Sequence, residues 1–250
     1  MKKRRKVLLS AAAGAVLVLI VAAVIFFWFT PTGYRMSVGI HGFTQISRKV
    51  FVDDKRAKNE QWNQGMIEDA RDRVKIYFGE LKSDPTIIIC DDEKKAKRLG
   101  GDHDTISVML KGAHSYISLS GEWVNVNILA HEMTHAEVHA RIVGKRSLIS
   151  IPVPTWFDEG LAIQNDYREQ YSHETWLAIT ENGENIPPIQ EKDTAEKFYS
   201  KDPNERRENY CLAGNEVASW VSQNGKDKLF EMLGEIGEGE EFARLYSDGR

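Results

Sequence analysis

The sequence predicts an α+β domain, a small sheet with flanking helices, behind one apolar N-terminal helix. Three observations support this prediction: an uncharged run of 23 residues near the N-terminus, short apolar segments bounded by turn residues in the first half, and helical spacing of apolar residues in most of the second half. The chain has 250 residues, of which 42% are hydrophobic and 28% charged, so it can form one sizeable globular domain with an appendage.

The N-terminal run, residues 7–29, has the length of a membrane-spanning helix. A helix of 23 residues rises about 34 Å, which exceeds the roughly 30 Å hydrocarbon layer of a bilayer. A cleaved signal peptide is the alternative, but its apolar core has only about 7–15 residues and is followed by small residues. This run is longer and ends in Phe26-Phe27-Trp28-Phe29, aromatic residues typical of a membrane interface, which favours an uncleaved anchor.

The charges on either side of this run predict its orientation. Residues 1–6 carry five of the 33 basic residues, which favours a cytoplasmic N-terminus. We therefore expect a basic cytoplasmic tail at 1–6, a single transmembrane anchor at 7–29, a linker at 30–50, and a domain at 51–250 that faces the periplasm or the extracellular space. Without the tail, 28 basic and 37 acidic residues remain, a net charge of −9. Nucleic acid is not an expected partner, because its phosphates require clustered Lys and Arg.

Apolar periodicity places the elements of the domain in order. The predicted strands are 50–52, 86–90, 106–110 and 116–119, the last half-exposed and edge-like. The predicted helices are 59–81, 123–143, 158–166, 213–222, 228–236 and 241–246, with a charged loop at 181–209. Cys90 and Cys211 could pair in an oxidising compartment, but Cys90 also suits a buried thiol, and the sequence leaves both possibilities open.

The middle of the helix at 123–143 contains the segment His131-Glu132-Met133-Thr134-His135, and Gly144 is suited to end this helix. Histidines four residues apart lie on one helix face, where two imidazoles can share one tetrahedral Zn²⁺. Glu132 is displaced by about 100° from His131, which is the position of a general base that takes a proton from a water activated by the metal. The apolar residues that line the helix near the histidines, and so shield this site from water, are Ile128, Leu129, Val138 and Ile142.

A third histidine, His139, continues the spacing of four residues. Because the eight residues from His131 to His139 span about 12 Å along a helix, one ion cannot touch all three imidazoles. We expect His139 to lie on the helix surface or to support a ligand from behind.

The third ligand is best sought in the segment from Trp156 to Ala162, which reads Trp-Phe-Asp-Glu-Gly-Leu-Ala. His-Glu-x-x-His followed about two dozen residues later by Trp-x-x-Glu-Gly-x-Ala resembles the gluzincin group of metallopeptidases, the thermolysin-like and aminopeptidase-like zincins, and among these an envelope-associated peptidase-like branch. This resemblance implies a zincin-like fold and one Zn²⁺. It also implies that His131, His135 and Glu159 are the ligands and Glu132 the catalytic base.

The resemblance extends, less sharply, beyond these two motifs. Gluzincins hold an extended substrate on an edge strand before the metal helix, a role expected here for the strand at 116–119. Asp158 stands where many relatives carry Asn, and it could orient a ligand or, as we favour, cap the next helix. These enzymes usually add a Tyr or His that stabilises the oxyanion. Tyr210 is the first candidate for that role, and the alternatives are Tyr167, Tyr171 and His173; His103 and His114 have no assigned role.

Together these patterns predict a membrane-anchored zinc metallopeptidase that acts on a peptide or protein substrate. A catalytically inactive zincin-fold binding or scaffold protein of the cell envelope is the alternative. An intramembrane protease is disfavoured, because the motif helix is polar and only one span is present.

Overall fold

The computed structural model describes residues 2–101, 106–110, 114–143 and 151–249, with the backbone only for 2–11 and 107. Gly144, the predicted end of the motif helix, and His103 lie outside the described residues. The strands are β1 Thr44–Ser47, β2 Val50–Val52, β3 Thr86–Ile89, β4 Ile106–Met109 and β5 Tyr116–Leu119. The helices are α1 Lys2–Phe29, α2 Pro31–Met36, α3 Glu60–Phe78, α4 Glu93–Arg98, α5 Val126–Val143, α6 Thr155–Ile163, α7 His173–Ile179, α8 Ala195–Phe198, α9 Pro203–Asn224, α10 Lys226–Glu238 and α11 Phe242–Asp248. The α+β prediction is confirmed: the described chain is mostly helical, with one small mixed sheet.

The five strands of this sheet have the order β1-β2-β3-β5-β4. Strands β2, β3 and β5 are parallel, whereas β1 and β4 pair antiparallel at the two edges. The prediction that the strand at 116–119 is edge-like is wrong, because β5 is paired with β3 on one side and with β4 on the other. Its central residues are buried, since both faces of the sheet are covered. The edge strand on this side of the sheet is therefore β4.

Two hydrophobic cores cover the two faces of the sheet. Ile87 and Ile89 point into the main core, which they share with α3, α5, α6 and the C-terminal helices. Ile88, between them, points into a smaller core that contains Tyr34 and Phe43. Because side chains alternate along a strand, β3 requires apolar cover on both sides. Residues 30–50, the predicted linker, supply part of that cover and contain α2 and β1.

The turn from α1 into α2 is close-packed. Thr30 caps α2 by accepting a hydrogen bond from the Gly33 N–H at 3.1 Å. A side chain at Gly33 would collide with the backbone of Phe26, since its Cβ would lie 2.1 Å from that carbonyl oxygen. The Trp28 ring packs edge-on against His41 at 4.8 Å between centroids. Helix α1 therefore joins the domain through a compact turn.

Helix α1 is also the membrane-span candidate. Its segment Ala12–Phe29 has a mean hydropathy of 2.8, and none of it is buried against the rest of the protein. By length and composition it can cross a bilayer.

The second half of α5 is anchored by a buried carboxylate. Glu137 accepts hydrogen bonds from the backbone N–H groups of Lys82 at 3.0 Å and Ser83 at 2.8 Å, in the connection between α3 and β3. Arg141, one turn later, donates to the same carboxylate at 2.8 Å. These hydrogen bonds hold α5 against the connection between α3 and β3.

One further prediction is corrected in the C-terminal part. Helix α9 begins at Pro203 rather than at 213, because Asp202 caps it by accepting from the Asn204 N–H at 2.9 Å and proline suits the first turn. The polar first turn is solvent-exposed, so it shows no apolar periodicity.

The sequence leaves open whether Cys90 and Cys211 pair. In the structure both are free and buried, so they form no disulfide with each other. Burial raises the pKa of the Cys90 thiol to about 12, which keeps it protonated.

Candidate metal centre

Helix α5 brings His131 and His135 together on one face. Their Nε2 atoms lie 3.2 Å apart, and both side chains are buried. The apolar residues predicted to shield them, Ile128, Leu129, Val138 and Ile142, are buried as well. The spacing of four residues therefore produces the expected pair of imidazoles inside the core.

Glu159 on α6 completes the group. Its Oε2 lies 3.2 Å from His131 Nε2 and 3.4 Å from His135 Nε2. The candidate ligand atoms of the three residues all lie within 4.8 Å of one another, so the group could hold a metal ion. Gly160, next in the chain, lets α6 approach α9 closely, since a Cβ there would meet the Ala213 carbonyl oxygen at 2.5 Å.

A carboxylate stands behind each imidazole. Asp166 Oδ2 lies 3.3 Å from His131 Nδ1, and Asp158 Oδ2 lies 3.0 Å from His135 Nδ1. Such contacts fix the ring orientation and leave Nε2 for a metal. The preferred interpretation of Asp158 as a cap is wrong, because α6 already begins at Thr155, and its alternative role, orienting a histidine, fits the contact.

The electrostatics of this group favour positive charge. Burial alone would lower the pKa of His131, but Asp166 and Glu159 outweigh burial and raise it to about 9. The pKa of His135 is likewise raised, because Asp158 and Glu159 outweigh its burial. Burial would raise the pKa of Glu159, yet the two imidazoles lower it well below its usual range. Three carboxylates around two buried imidazoles thus form a site that attracts a cation.

Glu132 lies beside the three candidate ligands, on the wall of an open cleft. It is 9% exposed, and burial raises the pKa of its carboxyl group above the ordinary value. Its side chain lines a cleft of about 600 Å³ together with His131. Glu132 therefore lies both beside the ligand cluster and on the wall of a space that a substrate could enter.

Tyr210 on α9 lies in the same cleft. Its ring centroid is 6.1 Å from that of His131 and 5.5 Å from that of Tyr171, which also lines the cleft. Burial raises the pKa of the Tyr210 hydroxyl, so it is protonated and can donate a hydrogen bond. Tyr167 and His173 do not line this cleft. Tyr167 is exposed, and the Arg73 guanidinium lies over its ring. His173 stacks on Trp176 with 5.3 Å between ring centroids, and both line another cavity.

His139 and His114 are not part of the group. His139 is only 1% exposed, so a place on the helix surface is excluded; α5 packs against neighbouring helices along this stretch. His114 is exposed.

Tyr199, like Asp166, is a residue of the site that sequence reasoning missed. The Tyr199 hydroxyl donates a hydrogen bond to Oε1 of Glu159, the oxygen that does not face the histidines. Tyr199 directly follows the short helix α8 in the charged segment predicted as a loop. No periodicity or spacing singles it out there; the only signal is its place in the aromatic pair Phe198-Tyr199.

No protein-family model matches the sequence, and no curated protein matches it. The chain is similar to the solved structure of yeast LTA4 hydrolase in complex with bestatin, with 16% sequence identity and a TM-score of 0.39. The match covers 78% of this chain and 33% of that chain, so this chain spans about a third of the length of the yeast protein.

Proposed function

We propose that this protein is a membrane-anchored zinc metallopeptidase of the gluzincin type, in which His131, His135 and Glu159 hold one Zn²⁺. The convergence of their three ligand atoms within 4.8 Å, in a buried site beside an open cleft, carries the proposal. Two nitrogens and one oxygen are donors that zinc accepts, and three protein ligands are typical of a catalytic site that keeps one position open. When bound, zinc supplies Lewis acidity, which activates water and polarises a carbonyl group.

The chain's own residues supply the proton transfers. Glu132 is placed to accept a proton from the attacking water, because its carboxylate faces the cleft beside the ligands. Its raised pKa brings it closer to neutral pH, where a general base works best. The Tyr210 hydroxyl, in the same cleft, can donate a hydrogen bond to the oxygen that gains charge as a peptide carbonyl is attacked. Peptide or protein hydrolysis is the reaction that this arrangement supports best.

The membrane part of the proposal depends on α1. Its segment Ala12–Phe29 is apolar, none of it is buried, and the basic residues 2–6 precede it. An uncleaved single-pass anchor with a cytoplasmic N-terminus would place the domain on the extracytoplasmic side. Nucleic acid is not a proposed partner, given the acidic remainder of the chain.

The metal claim is tested on the full chain purified in detergent. We expect about one zinc per chain in the wild type and in His114→Ala, whose histidine is exposed, and a loss of zinc in His131→Ala/His135→Ala. The measurement is elemental analysis after dialysis against limiting zinc. Zinc retained in full by the double variant would overturn the ligand assignment.

The catalytic claim is tested by cleavage of casein and a broad peptide library. Glu132→Gln is expected to keep its zinc and to lose about 10²–10⁴-fold in rate, the range that a general base contributes. Cleavage by Glu132→Gln at the wild-type rate would contradict the assignment. A folded, zinc-loaded wild type that cleaves nothing would favour the alternative, an inactive zincin-fold scaffold.

A further inference from the structure

The cleft beside the metal group differs in charge from the rest of the domain. Outside residues 1–6 the chain has a net charge of −9, yet the cleft is lined by three arginines, Arg168, Arg206 and Arg207. Among the described residues that line it, Glu132 is the one acid. The outer part of the cleft is therefore basic on an acidic protein, which is the arrangement expected for an anionic ligand.

Helix α9 places two of these arginines relative to the reaction centre. Pro203, Arg206, Arg207 and Tyr210 share one face of its first two turns, and all four line the cleft. Tyr210, at the inner end, packs near His131. Arg206 and Arg207 precede it by about one turn, roughly 5 Å further out along the helix.

Two of the acids near this pair, Asp202 and Glu205, are already engaged. Asp202 caps the backbone of Asn204, and Glu205 accepts hydrogen bonds from Lys192 at 2.8 Å and Ser200 at 2.5 Å. Within the described part of the chain, neither Arg206 nor Arg207 has an ion-pair or hydrogen-bond partner for its guanidinium group. Both side chains are exposed and free to meet a ligand.

Arg168 differs from the other two arginines. It donates to Asp166 at 2.9 and 3.0 Å and lies over the Tyr171 ring. It is therefore fixed in the wall of the cleft, where it adds positive charge but is committed to supporting the carboxylate behind His131.

We propose that Arg206 and Arg207 bind a substrate carboxylate, so that the enzyme prefers peptides with an acidic group close to the scissile bond. This inference rests on the proposed function. A peptide residue spans about 3.5 Å, so a carboxylate about two residues from the bond reaches the pair. Two adjacent guanidinium groups can form charge-assisted hydrogen bonds with such an anion. The carboxylate can belong to an Asp or Glu side chain or to a free C-terminus.

The test uses the zinc-loaded full chain in detergent and matched quenched peptides. One series exchanges Glu for Gln at each of the three positions on either side of the bond, and a second exchanges a free C-terminus for an amide. We expect the acidic members to be cleaved about tenfold better, a modest gain because the arginines are exposed. The series that shows the difference identifies the source of the carboxylate.

Variants then assign the preference to the pair. Arg206→Gln/Arg207→Gln should bring the ratio of kcat/KM between acidic and neutral peptides close to one, and Arg206→Lys/Arg207→Lys should restore part of it. Arg244→Gln, which removes an exposed arginine on α11, is the control and should leave the ratio unchanged. Rising salt should lower the ratio, as expected for an exposed ion pair.

Binding separates this inference from the proposed function. Fluorescence anisotropy with zinc-loaded Glu132→Gln should show the same preference without turnover. If wild type cleaves nothing but acidic peptides still bind better through the pair, the inference stands and the proposed function fails. If acidic and neutral peptides are cleaved and bound equally, or if no peptide binds, the inference is overturned.

Discussion

Two glutamates five residues apart on helix α5 have opposite surroundings. Glu137 is completely buried and accepts hydrogen bonds from the backbone of Lys82 and Ser83 and from the side chain of Arg141. Glu132 is also largely buried, but within the described residues its carboxylate accepts no hydrogen bond, and it faces the cleft. Two residues of the same type on the same helix thus differ: the carboxylate of Glu137 is fully buried and hydrogen-bonded, whereas that of Glu132 is accessible from the cleft.

This difference separates a structural acid from one that is available for chemistry. A buried carboxylate whose hydrogen bonds are all formed is a structural part of the fold. Removing either the carboxylate or one of its donors is destabilising, because the remaining group is left buried without its hydrogen-bond partner. A buried carboxylate without donors opposes folding slightly, but it keeps its lone pairs free to accept a proton. Four predictions test this contrast, from the largest expected effect on free energy to the smallest.

Glu137→Ala should lower the free energy of unfolding by about 3–5 kcal/mol, because it leaves two backbone N–H groups and the Nε–H of the largely buried Arg141 side chain without their acceptor. The measurement is denaturant unfolding of the full chain in detergent, followed by tryptophan fluorescence. Glu174→Ala, an exposed glutamate on α7, is the control and should change stability by no more than about 0.5 kcal/mol. A loss below about 1 kcal/mol for Glu137→Ala would show that Glu137 is not the anchor described above.

Arg141→Met should cost less, about 1.5–3 kcal/mol, the range for hydrogen bonds to charged groups. Glu137 would keep its two backbone donors, and the methionine would still cover the rings of Phe78 and Phe230 that Arg141 now contacts. Unfolding of Arg141→Met, Glu137→Ala and the double variant gives the coupling energy. Additive losses would mean that the two side chains act independently, contrary to their 2.8 Å contact.

Asp158 and Asp166 lie between the structural acid Glu137 and the accessible acid Glu132. Each is held by a contact, but its partner is a candidate metal ligand. Asp158→Asn and Asp166→Asn should each weaken zinc affinity about 10–100-fold, because the histidines lose the carboxylates that orient them. The effect should be larger for Asp166, which is fully buried and also pairs with Arg168, than for Asp158, whose side chain is 20% exposed. Competition with a zinc chelator measures the affinity.

Asp69→Asn, on the exposed face of α3, is the control for this pair and should bind zinc as the wild type does. Unchanged affinity in both aspartate variants would mean that the two carboxylates do not support the metal group. Asp158 and Asp166 would then no longer be intermediate between Glu132 and Glu137.

Much of this site follows from local sequence, because helix spacing alone brings His131 and His135 together. Glu159 follows from the resemblance of two motifs, and the structure places it beside both histidines. The contacts of Asp166 and Tyr199 with the group could not be predicted, since they depend on how chain segments far apart in sequence pack.

The fold divides in the same way. Apolar runs locate β3 and β5 within a residue, because buried strands carry a local pattern. The order of the sheet is a long-range property, so the sequence does not reveal that β4 covers the edge of β5. Likewise, the exposed start of α9 carries no apolar pattern, although it contains Arg206 and Arg207 of the cleft.

The smallest expected change in stability belongs to Glu132→Gln. Burial raises the pKa of Glu132, so near neutral pH its charged form is less stable in the folded protein than in the unfolded chain. The neutral amide removes this cost and leaves no protein donor unpaired. The unfolding free energy of Glu132→Gln should therefore match that of the wild type or exceed it by up to about 1 kcal/mol, although we expect this variant to lose activity. The unfolding of both proteins is measured on metal-free samples, because bound zinc would itself add stability. A loss of more than about 1 kcal/mol would place Glu132 with Glu137 among the structural acids and remove the main reason to regard it as the base.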